Sequence, residues 1–213
     1  IRLLLDRLGS KNASEAFLRP LQQAGAEIAF FHPFFFKRLW RPEINLRSHR
    51  KIVVIDGTIG FTGGINITDD ENEHIKKDAY IDLHFKIRGE IVRWLQLAFV
   101  ADWLYAGGQF AADTLYFPVP AESAGPIAAQ VLAAGPDTPF EPIHRAQVFA
   151  INSACKRALL VTPYFVPSES AMMALTSAAL RGVDTALVVP LMSDNRLVTL
   201  AARSYFEDLT RAG

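Results

Sequence analysis

The residues whose types and spacing invite chemistry lie between Asn45 and Ile67. His49, Lys51 and Asp56 form the pattern H-x-K-x4-D. With 5 His, 7 Lys and 12 Asp in 213 residues, chance predicts about 0.01 occurrences of that pattern, so its presence asks for a reason. Side chains on a strand alternate faces, and His49 and Lys51, two apart, share one. A group able to attack or carry a proton then stands beside a fixed cation. Asp56 completes the catalytic motif, but it has the opposite parity or lies in a turn. It reads as structural support and not as a contact to the reacting atom.

A third group comes from the following strand. Residues 50–55 and 59–62 read as a hairpin around Asp56 and Gly57, a common turn pair. A loop of Gly57 and Thr58 would set Asn66 opposite His49, and a loop of Asp56 and Gly57 would make it a diagonal neighbour. Both registers keep Asn66 on the His49 face. Gly63 and Gly64 add bare backbone with no side chain to block a ligand. Ring nitrogen, ammonium, amide and bare backbone converging on one spot suit the oxygens of a phosphodiester. Residues 37–51 carry a net charge of +5, and residues 69–73 carry −4. The basic run reads as an approach that steers an anion to His49, or as a solvated face.

These residues need a frame. Half of the chain is apolar and 21% is charged, which describes a globular protein and excludes a disordered one. The formal net charge is +0, so no bulk charge drives binding to nucleic acid or anionic lipid. The single cysteine, Cys155, excludes an internal disulfide and a Cys-based metal site. No apolar run reaches the roughly 18 residues needed to span a bilayer. The chain opens on Ile1 inside an apolar run, and we read it as a piece of a longer protein.

Apolar patterning predicts strands at 1–5, 26–31, 80–87, 158–162 and 183–189. Helices are predicted at 10–24, with Ser10 or Asn12 as cap, at 90–105, and at 168–180. Alternating strands and helices imply an α/β fold, a mixed β-sheet flanked by helices. The strand–helix–strand pattern returns at a constant shift of 157: Leu3 to Leu5 align with Leu160 to Thr162, and Gly25 with Gly182. That ungapped register favours an internal duplication. The expected organisation is a first repeat over 1–117, a connector over 118–142, and the start of a second repeat over 143–213, cut short before its own motif.

The cluster of His49, Lys51, Asp56 and Asn66 resembles the phospholipase D superfamily. The run from Asn45 to Ile67 is most similar to the bacterial cardiolipin synthases and their phosphatidyltransferase relatives. Leu5 to Ser10, Phe99 to Trp103, Gly135 to Asp137 and Thr162 to Pro167 fit the same branch. The resemblance implies phosphatidyl transfer through a phosphohistidine, with Lys51 and Asn66 binding the substrate phosphate and no metal or other cofactor. Asp82 is similar to the family carboxylate that orients the histidine; His84 beside it reads as a satisfied histidine. The implied substrate is an anionic phospholipid, phosphatidylglycerol, at the cytoplasmic face of the bacterial inner membrane, where this fragment is peripheral. The superfamily uses two motifs per site and this chain has one. The second comes from a missing C-terminal part or from another chain.

Other features leave alternatives open. Phe30, Phe31, Phe34, Phe35, Phe36 and Trp40 form an apolar wall for acyl chains, a wedge into a bilayer surface, or core; Phe30 and Phe31 are the core pair. Tyr164 and Phe35 are candidates for the substrate mouth, and Tyr164 equally fits a rigid turn bounded by prolines. In the 90–105 helix, Trp94, Leu95, Phe99 and Trp103 are the expected packing residues, and Cys155 is expected as an inert buried thiol in a helix. The alternative functions are a phospholipase D-type hydrolase, a nuclease, or a catalytically incomplete lipid-binding fragment. The aromatic segment and the lack of a broad basic surface make nucleic acid the weaker substrate.

Overall fold

Short apolar or alternating stretches of four or five residues become the seven strands described here. In the computed structural model, residues 1–31, 48–111, 116–119, 125–135, 138–193 and 195–213 are described. They form two compact units, Ile1–Asp137 and Thr138–Gly213. In the first unit β1 (Arg2–Asp6), α1 (Glu15–Gln23) and β2 (Glu27–Phe31) are followed by β3 (Ile52–Ile55), β4 (Ile59–Gly63), β5 (His84–Arg88) and α2 (Ile91–Tyr105). The second holds α3 (Pro142–Ser153), β6 (Arg157–Val161), α4 (Glu169–Leu180), β7 (Asp184–Val188), α5 (Arg196–Ser204) and α6 (Phe206–Ala212). The fold class is α/β, with parallel pairs β1–β2 and β6–β7 and an antiparallel set β3–β4–β5.

Local chemistry sets the boundaries. The cap of α1 is Ser14, whose hydroxyl accepts Phe17 N–H at 3.2 Å, so the helix starts later than the expected Ser10 or Asn12. Ser168 caps α4 in the same way through Ala171 N–H. In α2 the buried face is Val92, Leu95, Gln96, Val100 and Trp103. This helix lies against β2, β3, β4 and β5 and so joins the parallel pair to the antiparallel set. Trp94, expected in the core, is 58% exposed, because it lies one residue round the helix from Leu95 on the side away from the sheet. Trp103 is 2% exposed, stacks on Phe99 and donates its indole N–H to the Gln109 carbonyl. Phe30 and Phe31 are half-buried, while Phe34, Phe35, Phe36 and Trp40 lie outside the described residues, as do Lys37, Arg38, Arg41 and Arg47 of the basic run. Cys155 is exposed, because α3 ends at Ser153 and the thiol falls in the bend before β6.

The two strand–helix–strand segments share a pattern of contacts. Arg2 pairs with Glu27 where β1 and β2 begin, and Arg157 with Asp184 where β6 and β7 begin. The expected ungapped register does not hold. β2 and β7 are 157 residues apart, but β1 and β6 are 155 apart by strand pairing, so two extra residues lie between the strands of the second segment.

The β3–β4 hairpin also departs from both expected registers. Ile55 pairs with Ile59 and Ile52 with Thr62, around a three-residue connection, Asp56 to Thr58. Asp56 and Gly57 both have positive φ, and Thr58 N–H donates to the Ile55 carbonyl, so a tight mirror-image turn is followed by one extra residue. A side chain at Gly57 would strike Pro118 and the Tyr116 carbonyl. Gly57→Ala therefore meets strain and a clash together. It should lower unfolding free energy by about 1–3 kcal/mol, read as a lower urea midpoint with unchanged slope.

Candidate active site

The segment that delivers His49 is held from behind. Arg50 sends its guanidinium to Asp102 of α2, with Nη1 2.6 Å from each carboxylate oxygen, and its Nη2 donates to the Ala134 carbonyl at 2.9 Å. Ser48 donates its hydroxyl to the same carboxylate at 3.3 Å. In extended backbone, neighbours point opposite ways, so tying Ser48 and Arg50 to α2 turns His49 and Lys51 to the other side. The structure brings those two together: Lys51 Nζ lies 2.9 Å from His49 Nδ1 and 2.8 Å from the His49 carbonyl. An ammonium only donates, so Nδ1 accepts, and the neutral ring carries its proton on Nε2. Asp102 was legible in the sequence only as part of a family-like run, and nothing in its own spacing announced this role. Arg50, counted among the steering cations, is spent on this contact.

Three carboxylates act electrostatically on Lys51. Partial burial pulls its pKa below 10.5, while Glu71, Asp82 and Asp6 pull it back up. Asp6 ends β1 and accepts Gly9 N–H at 2.6 Å. Asp82 precedes β5, so it is not on the strand the sequence suggested; its carboxylate accepts Leu83 N–H at 2.6 Å. The space left by Gly64 is filled by the Asp82 carboxylate, and that left by Gly63 by the Leu83 carbonyl and His84. The two glycines admit the chain's own return strand and not an open ligand channel. Gly64 N–H donates to Leu83 O at 2.8 Å. His84, expected as a satisfied histidine, has a buried Nδ1 with no hydrogen-bond partner among the described residues.

Asn66 does not sit across the ladder from His49. The observed register would set Ser48 opposite Asn66, and the β3–β4 ladder stops at Thr62 before reaching it. Asn66 is placed by the loop after β4, where it bonds Glu71, one of the three carboxylates acting on Lys51. Asp56 lies in the hairpin turn, five residues along from Lys51 or roughly 15 Å at strand rise, exposed and apart from this cluster. Tyr164 is 54% exposed and belongs to the second unit; Phe35 is outside the described residues.

The cluster pairs an imidazole with a cation, a set able to attack and hold a phosphoryl group, and the Asn66 amide is linked to it through Glu71. No family model matches the chain. It is 41% identical to "Cardiolipin synthase" of Alkalihalophilus pseudofirmus over 218 residues, and 42% identical to "Cardiolipin synthase" of Geobacillus kaustophilus over 219. To "Cardiolipin synthase 2" of Bacillus anthracis it is 41% identical over 220. Each comparison covers 100% of this chain and 42%, 43% and 42% of the relative, respectively. These matches are consistent with a fragment of the phospholipase D superfamily. The chain is a homologue of the cardiolipin synthases and spans rather less than half the length of the curated relatives it matches.

Asp102→Asn should cost about 1.5–3 kcal/mol of stability by weakening a partly buried charge-assisted pair, measured by chemical denaturation. Lys51 should titrate below 10.5 in the folded chain, read from its side-chain NMR shifts, and Glu71→Gln should lower its pKa further by removing an attractive carboxylate. Between the folded and unfolded pKa of Lys51 the unfolded state binds more protons, so this group's contribution to stability rises as pH climbs through that window.

Proposed function

We propose that this chain carries half of the active site of a cardiolipin synthase, which moves a phosphatidyl group between two phosphatidylglycerol molecules. The alignment of the whole chain with proteins of that name supports the reading. So does the contact of His49 with Lys51. Two histidines share the work, His49 and one from the second motif, supplied by the rest of the protein or by another chain. One histidine Nε2 bonds to phosphorus as the bond to the first glycerol oxygen breaks, and the other histidine gives that oxygen a proton. The acceptor hydroxyl then returns a proton to the second histidine as its oxygen displaces the first from phosphorus.

The contact to Lys51 limits how His49 can act. A nucleophilic Nε2 must be bare, which puts the ring proton on Nδ1; an acid must be protonated at both nitrogens. Either role needs a proton on Nδ1, where Lys51 now donates. Substrate therefore has to draw the ammonium off the ring, and phosphate oxygens are acceptors suited to that. With the ammonium gone, the ring proton moves from Nε2 to Nδ1 by way of solvent, and Asp82, beside Gly64 and within electrostatic reach of Lys51, accepts that Nδ1–H as a hydrogen bond and orients the ring. Lys51 and Asn66 hold the phosphate oxygens, and no cofactor enters.

The site works at the membrane surface, on the cytoplasmic face of the bacterial inner membrane. Among the described residues no helix is long and apolar enough to cross a membrane. Phosphatidylglycerol vesicles test the reading, with the chain and with a longer protein that includes the second motif. Cardiolipin should form, and His49→Ala should reduce its rate at least about 100-fold. Phosphatidic acid as sole product would make the enzyme a hydrolase. Cleavage of DNA with lipid untouched would make it a nuclease, and lipid binding without turnover would leave a binding fragment.

A further inference from the structure

Glu71 stands five residues past Asn66, at the end of a short 3-10 turn opened by Thr68. Its two carboxylate oxygens take two donors from one residue. Oε2 accepts the backbone N–H of Asn66 and Oε1 accepts its side-chain Nδ2, both at 2.6 Å. This grip removes the freedom an exposed asparagine otherwise has. Rotation about either side-chain bond breaks one contact. A 180° amide flip would set Oδ1 against a carboxylate, where it has no proton to give. The amide nitrogen has two hydrogens and the grip uses one.

We infer that Glu71 is the positioning residue of the phosphate pocket: by clamping Asn66 at two points it presents the remaining amide N–H to a phosphate oxygen beside Lys51. The inference rests on the phosphate-binding role proposed for Asn66. It gives a task to an acidic residue that the sequence alone presents as one of a solvated run. Glu71 has both oxygens engaged by Asn66, so it acts through that residue and not on the substrate.

Charge and grip make opposite predictions, which allows a decisive test. Removing a carboxylate near Lys51 should by electrostatics alone tighten anion binding. Loosening the clamp should weaken it. Isotope-labelled chain is titrated with inorganic phosphate, followed at the Asn66 side-chain amide and at Lys51. Glu71→Gln, which keeps the shape but cannot accept both bonds equally, should bind phosphate about five- to tenfold more weakly. Glu71→Asp, which keeps the charge but not the reach, should lose a similar factor. Adding Glu71→Gln to Asn66→Ala should cost nothing beyond Asn66→Ala alone. Asp69→Asn should leave affinity unreduced. Core resonances of Val92 and Trp103 report that each variant is folded. Equal affinity in wild type and Glu71→Gln would overturn the inference, and tighter binding would make Glu71 a placeholder that phosphate displaces. If wild type itself showed no response to phosphate, the phosphate-binding reading would fall, and the inference with it. A responding wild type with unaffected Glu71 variants would remove the inference alone.

Discussion

The pairing of Arg50 with Asp102 is the constraint on which the site depends. A short extended segment has two faces and no intrinsic reason to prefer either. Ser48 and Arg50 are tied to the carboxylate of Asp102, and that bond chooses for all four residues from 48 to 51. Both partners are partly buried, with side chains 29% and 15% exposed, so breaking the pair leaves a charge short of both water and partner. Asp102 is itself fixed because its helix buries Val92, Leu95, Val100 and Trp103 against the sheet. Packing of the core thereby becomes orientation of an imidazole.

The second feature is a charge balance that leaves Lys51 poised. Partial burial favours its neutral form, while Asp6, Glu71 and Asp82 favour the charged one. Those carboxylates reach it from the end of β1, from the turn after β4 and from the approach to β5. No local stretch of sequence could assemble that set. Among the described residues the cation faces three anions, which is an unfavourable balance for a phosphodiester standing alone. It fits a site completed by a second group of donors.

The two strand–helix–strand segments share a pattern but not a length. Each begins its strand pair with an Arg–carboxylate contact in the same register. The surroundings differ: Arg2 lies over the rings of Trp103, Phe110 and Tyr116, whereas Arg157 is exposed. The two-residue difference between the strands is absorbed outside the ladders and in the helix: α4 has 12 residues against 9 in α1, and the connection before it is slightly shorter. The sequence pattern therefore locates both segments and misjudges their alignment.

What the sequence determined by itself was local or compositional. Apolar patterning marked the strands, Ser168 marked the start of α4 while the cap of α1 was placed too early, and the spacing of His49 and Lys51 put them on one face. The His49–Lys51–Asp56–Asn66 cluster also resembled the motif of the superfamily. Tertiary structure decided the rest. It put one extra residue in the hairpin, so Asn66 joins the cluster through a loop and Glu71 and not through strand pairing. It turned Trp94 to solvent and left Asp56 at a distant turn. It gave Asp102 the task of aiming the motif from over fifty residues away. These outcomes depend on contacts between segments remote in the chain, and a one-residue change of register reverses every face in a strand. Periodicity shows that residues share a face; only packing settles which face it is and what stands opposite.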